Sequence, residues 1–154
     1  MNHRLAGAAT ALLAFLALGV AYFAQYRLLL TPCELCLWER WPYRIVAVLG
    51  VVAALLPRGA ARVVLGLAAL GTLAGAAVAG LHCGVEFGWW PSPLPECNGA
   101  ITPGAPLPMF PATPCDRPVY LVHALPVSMA QIDFAAELAF TILLVAYVLR
   151  ARRV

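Results

Sequence analysis

Cys33-Glu34-Leu35-Cys36 places two thiols three positions apart, the spacing at which a cysteine pair can close and reopen a disulfide. The residues before and within it have the form of a helix start, with Thr31 as N-cap, Pro32 at the first helical position and Glu34 three after the cap. Free backbone N–H groups and the helix dipole at such a start favour an anion, which lowers a thiol's pKa and populates the nucleophilic thiolate. At about 100° per residue, Cys33, Cys36 and Arg40 fall within about 60° of one another. A guanidinium therefore sits one turn below the two sulfurs. The chemistry this arrangement suits is thiol–disulfide exchange.

Three more cysteines follow. Cys97 and Cys115 lie in a proline-rich segment and can close a flexible disulfide there, while Cys83 is left over as a quiet thiol. Other uses of the CxxC fit less well. Haem attachment needs histidine directly after the second cysteine, and residue 37 is leucine. A structural zinc site needs four ligands, usually with a second close pair, and the remaining candidates His82, Cys83, Cys97, Cys115 and His123 are scattered, so no metal is expected. The competing reading is a non-enzymatic membrane protein whose cysteines hold an ion or form inert disulfides.

The elements that must position these residues are membrane helices. The chain has 154 residues, 63% hydrophobic and 11% charged, far from the roughly 45–50% apolar and 25% charged of soluble domains. Four apolar stretches, Leu5 to Tyr26, Leu37 to Leu56, Val63 to Leu81 and Ala130 to Leu149, are each about 30 Å long as helix, the thickness of a bilayer core. The expected fold is an all-α, integral membrane four-helix bundle forming one domain over 1–154, which excludes the βαβ units of a thioredoxin-like domain. The first stretch is expected to stay as a helix, being longer than a signal-peptide core and without a convincing small-residue cleavage site.

All ten basic residues are arginine, and Arg4, Arg58, Arg62, Arg150, Arg152 and Arg153 flank the spans on one side. That side is expected to be cytoplasmic, with both termini inside and the cysteines outside, where disulfides persist. The net charge of +3 is thus an orientation signal and implies no nucleic-acid partner. The segment 82–129 holds ten of the thirteen prolines, three of the five cysteines and Trp89-Trp90. It is expected to be a long, irregular periplasmic loop pinned at the interface by its tryptophans.

The second span cannot begin after its arginines, because the remainder would be too short to cross. Arg40 and Arg44 therefore lie within or at the edge of the outer leaflet, where charge is costly and functional by default. Pro42 is expected to kink this helix. Asp133 and Glu137, four apart on the fourth span, are expected counter-ions for Arg44 or Arg40. In the third span Gly66, Gly71, Gly75 and Gly80 are expected to let helices approach closely.

Taken together, these residues resemble the bacterial disulfide bond formation protein DsbB family, and the likeness covers nearly the whole chain. It rests on four spans, CxxC followed by arginine (Cys33, Cys36, Arg40), a histidine opening the second outer loop (His82) and a later cysteine pair (Cys97, Cys115). The vitamin K epoxide reductase family also joins a four-helix bundle to two cysteine pairs, but there the loop pair precedes the CxxC. The resemblance implies a quinone-reducing protein-disulfide oxidoreductase of the bacterial inner membrane. Such an enzyme reoxidises a periplasmic DsbA-like thiol oxidase and passes the electrons to ubiquinone or menaquinone in the membrane quinone pool. It further implies that Cys97 forms the mixed disulfide with the partner and Cys115 exchanges with Cys33. Cys36 would then face the quinone as a thiolate, with Arg40 and His82 binding the head group. Cys83 has no place in that four-cysteine scheme.

Overall fold

The computed structural model describes residues 2–98, 113–121 and 125–150. Its four α-helices are α1 (His3–Tyr26), α2 (Glu34–Leu55), α3 (Arg58–Glu86) and α4 (Met129–Arg150), with a short 3₁₀ turn over Pro95–Asn98. No strand occurs among the described residues. His123 and four of the ten prolines of segment 82–129 lie outside them. α1, α3 and α4 are long and apolar enough to cross a membrane. α2 is more polar because Glu39, Arg40 and Arg44 occupy its first half.

The helices run longer than their apolar stretches, since backbone hydrogen bonding does not stop where hydrophobicity does. α3 shows this best, extending beyond Val63 to Leu81 at both ends. It closes at Gly88, whose φ of +69° is the left-handed conformation that ends many helices, and the Trp89 N–H donates back to the Gly84 carbonyl. The Trp90 indole N–H donates to the Leu81 carbonyl, and its ring occupies the space where a Gly84 side chain would be. α4 begins with a reciprocal cap: Ser128 Oγ accepts from the Gln131 N–H, and Gln131 Oε1 accepts from the Ser128 N–H. Ser128 Oγ also donates to Glu86, which ties the start of α4 to the end of α3.

Packing follows chain order, α1 on α2, α2 on α3 and α3 on α4. The main core is small and aliphatic, built around Ala14, Val46, Ala53, Leu65 and Ala68 with Tyr43 and Phe140. The closest backbone approach is not in α3, where the glycine run suggested it. A Cβ on Gly7 would fall 2.5 Å from the Ala54 nitrogen, and one on Gly50 would fall 2.5 Å from the Ala11 nitrogen, so α1 and α2 touch backbone to backbone. In α3, Gly71 faces Val46, Gly75 faces Glu137 and Pro42, and Gly80 faces Phe134, whereas Gly66 faces open space. Gly66 is thus no packing residue. Pro42 lies inside α2 without ending it.

Candidate redox site at the mouth of the bundle

The start of α2 differs from the expected one. Cys33, not Thr31, is the N-cap: its backbone is extended and its Sγ accepts the Cys36 N–H at 3.3 Å. Pro32 restricts the residue before it to extended conformations, so the helix begins two residues later than the Thr-Pro-x-Glu pattern suggested. The consequence is chemical. A sulfur, rather than a hydroxyl, holds the orphan amide at the positive end of the helix.

Around that sulfur the bundle assembles further partners. Cys33 Sγ and Cys36 Sγ lie 2.7 Å apart as free thiols. His82, on α3, brings Nε2 to 3.6 Å from Cys33 Sγ, and its Nδ1 hydrogen-bonds Glu39 Oε1 at 2.7 Å. Both His82 and Glu39 are buried. The hydrogen bond from Cys36, then the hydrogen bond and charge of His82, outweigh burial and pull the Cys33 thiol down from its ordinary 9.0 to about 5. A cysteine, a histidine and a carboxylate in series form the arrangement that activates a thiol for nucleophilic exchange.

The loop pair comes to the same place. Cys97 and Cys115, 18 apart in sequence, form a disulfide with a Cα–Cα distance of 5.0 Å. It packs in one apolar cluster with Cys33, Leu35 and Val85, and Cys36 borders that cluster. At 3% and 1% exposure the two loop cysteines are sealed from solvent. Cys83 is a buried free thiol.

On the other side Cys36 lines a cavity of about 250 Å³ between α1, α2 and the first turns of α4, roofed by Val119 and Leu121. Its walls are mostly aliphatic, with Gln25, Glu39, Arg40, Tyr43 and Asp133 as polar points. Arg40 reaches across to α1, donating to Gln25 Oε1 at 2.6 Å and lying 5.0 Å from the centroid of the Tyr22 ring. Cys33 and His82 do not line this space. The structure therefore sets Arg40 beside the cavity with Cys36, and His82 against Cys33.

The expected counter-ions do not form. Arg44 donates to the Tyr22 hydroxyl at 2.8 Å and stacks on Trp41, while Asp133 accepts from the Tyr43 hydroxyl at 2.8 Å. Glu137 is fully buried, with neither carboxylate oxygen hydrogen-bonded, and rests against Gly75. The acids and the arginines turn to different partners, Asp133 to Tyr43 and Arg44 to Tyr22 and Trp41. The sequence reading also passed over Glu39, although a carboxylate inside a span and three residues beyond Cys36 was a signal in its own right.

Comparison with known proteins accords with this geometry. Residues 3–147 match the family described as disulfide bond formation protein DsbB. A disulfide bond formation protein B of Herminiimonas arsenicoxydans is 40% identical over 74 residues, covering 48% of this chain and 47% of that protein. One of Azoarcus sp. (strain BH72) is 36% identical over 90 residues, covering 57% and 52%. The matched segments span about half the length of these relatives, and no solved structure matches. With the family match running through all four helices and both cysteine pairs, the chain belongs to the disulfide bond formation protein DsbB family.

Proposed function

We propose that the chain is a membrane thiol oxidase that takes electrons from a periplasmic DsbA-type dithiol and delivers them, through its two cysteine pairs, to a membrane quinone. The observation that carries this is the position of the CxxC between the two halves of such a path. Cys33 packs in the cluster that holds the loop disulfide, and Cys36 opens on the apolar cavity.

The first exchange occurs in the loop. A partner thiolate attacks Cys97 Sγ, a new interchain disulfide forms, the Cys97–Cys115 bond breaks, and Cys115 leaves as a thiolate. The partner's second thiol then displaces Cys97, and the partner departs oxidised with its two electrons and two protons left on the loop pair. Because both loop sulfurs are sealed, the partner must lift part of the loop to reach Cys97. The second exchange is internal. Cys115 attacks Cys33 of a closed Cys33–Cys36 disulfide, Cys36 is released as a thiolate, and return attack by Cys97 on Cys115 restores the loop disulfide. Cys33 and Cys36 are now the reduced pair.

The cavity fits a quinone head group: it is mostly apolar, of suitable volume, and carries Arg40 beside the Cys36 sulfur. When bound there, a quinone supplies the terminal acceptor for two electrons and two protons, and Cys33–Cys36 closes again. Cys36 presents its sulfur to that acceptor, Arg40 supplies a fixed positive charge for negative charge developing on an acceptor oxygen, and Gln25 fixes Arg40. Asp133 lines the same cavity with Oδ2 lacking a hydrogen bond, and is a group able to hand over or take a proton there. We assign His82 to Cys33 in place of the quinone, as the group that orients and stabilises its thiolate with Glu39 behind it. The arginine distribution supports both termini in the cytoplasm and the cysteines on the periplasmic side.

Trapping tests the path. In Cys115→Ala, Cys97 is a thiol with no internal partner, so it attacks the disulfide of oxidised DsbA-type protein, one partner sulfur leaves as a thiolate, and the two chains should accumulate as a mixed disulfide on Cys97. Finding the partner on Cys33 instead would overturn the order of exchange.

A further inference from the structure

Cys33 Sγ, Cys36 Sγ and a ring nitrogen of His82 lie within 4.8 Å of one another. This is a Cys₂His donor set, two soft thiolates and one imidazole, of the type that holds zinc with a fourth position left open. Behind it, the His82 ring is held through its other nitrogen by Glu39 at 2.7 Å. A carboxylate on the far nitrogen of a ligating histidine fixes the tautomer and ring direction, and it is the usual outer support of a zinc histidine. We propose that the reduced site binds one thiophilic divalent cation, Zn²⁺, through Cys33, Cys36 and His82, with Glu39 as the positioning residue, and that the bound ion holds the enzyme out of the exchange cycle.

The geometry needs little change. At a Zn–S bond of about 2.3 Å, tetrahedral thiolates stand about 3.8 Å apart, so the sulfurs must separate by about 1 Å from their present 2.7 Å. Rotation of the Cys36 side chain toward the cavity it borders gives that room. The His82 nitrogen, 3.6 Å from Cys33 Sγ, is already at ligand-to-ligand distance. No electrons move in this step: Cys33 and Cys36 release any thiol protons to solvent, and the two thiolates and the neutral imidazole take the place of waters on the ion. Oxidation to the Cys33–Cys36 disulfide removes both thiolate ligands, so only the reduced state can bind, and a bound ion blocks closure of that disulfide. The scattered spacing of cysteines and histidines argued against a site in the sequence. Packing of α3 on α2 supplies the third ligand from 49 residues away.

The test uses the full-length chain in detergent with Cys83→Ser, so that the CxxC provides the only free thiols while the loop disulfide is closed. The CxxC is then reduced selectively, and thiol counting verifies two thiols. Zn²⁺ is titrated against a chromophoric chelator, and Co²⁺ is added separately to read sulfur-to-cobalt charge-transfer absorption. One ion per reduced chain and none per oxidised chain is expected. Glu39→Gln should weaken binding about 10- to 100-fold and His82→Ala by more, while His82→Cys should restore it with a stronger charge-transfer band. Equal affinity in His82→Ala and the parent would overturn the proposal, because the dithiol alone would then be the binder, as would equal binding to the oxidised chain. The readout is metal bound to protein, so it stands or falls apart from any result on quinone or partner.

Discussion

Removing the donors around Cys33 should move its titration upward in steps. In the folded chain that thiol is brought from 9.0 to about 5 by the Cys36 hydrogen bond first and by His82 second. Each pKa unit corresponds to about 1.36 kcal/mol, so about four units amount to roughly 5 kcal/mol of preference for the thiolate. At pH 7 the difference is between a nearly complete thiolate and about one part in a hundred. In a Cys83→Ser background with the loop disulfide closed, Cys36→Ser leaves Cys33 as the single free thiol but keeps a hydroxyl donor beside it. Cys36→Ala removes that donor, and Cys36→Ala with His82→Ala removes both. Alkylation by neutral iodoacetamide, followed from about pH 4 to about pH 10, should give midpoints that rise in that order, with the last close to an ordinary thiol. Burial of Cys33 slows alkylation at every pH by a common factor and leaves the midpoint in place. The folded value lies below the unfolded one, so the thiolate stabilises the reduced fold fully above about pH 9. That stabilisation is lost as the pH falls toward about 5. Identical midpoints in the serine variant and the double variant would refute the reasoning.

Arg40→Ala should raise KM for a short-chain quinone about 10- to 100-fold, the range expected from losing a charged hydrogen-bond donor of about 1.5–3 kcal/mol. The rate of mixed-disulfide formation with the protein partner should stay unchanged, since Arg40 faces the cavity and not the loop pair. Gly50→Ala should lower thermal stability in detergent by about 1–3 kcal/mol, because its Cβ would meet the Ala11 backbone at 2.5 Å. Gly66→Ala, with nothing within 4 Å, should be neutral or slightly stabilising and serves as the control; equal losses in both would contradict the assigned α1–α2 contact.

The four helices were legible as four largely apolar runs of about 20 residues, of which α1, α3 and α4 are apolar enough to cross a membrane and α2, with Glu39, Arg40 and Arg44, is more polar. Cys36 and its in-phase Arg40 were legible because both lie on one helix, where the angle between residues is fixed by periodicity; Cys33, expected on the same face, is the extended N-cap and turns to His82 instead. What failed crosses between helices. Whether Asp133 faces Arg44 or Tyr43 depends on the rotation of α4 about its axis, and a shared depth in the membrane does not set that rotation. The Cys33–His82–Glu39 series depends in the same way on how α3 lies against α2. The glycine run misled for a related reason: Gly66 is on α3 but turned to open space, while the isolated Gly7 and Gly50 meet only once α1 and α2 are packed. Thr31 looked like the cap by residue type, yet Cys33, a weaker acceptor on average, holds it because the extended segment through Pro32 delays the helix.

The central claim is that electrons leave the chain through Cys36 into an acceptor in the α1–α2–α4 cavity. The most direct measurement mixes the purified protein with excess reduced DsbA-type partner and a quinone, following quinone absorbance and partner thiols together. One quinone should be reduced for each partner dithiol oxidised over many turnovers, and Cys36→Ser should abolish quinone reduction while still capturing the partner on the loop pair. Continued quinone reduction by Cys36→Ser would contradict the account.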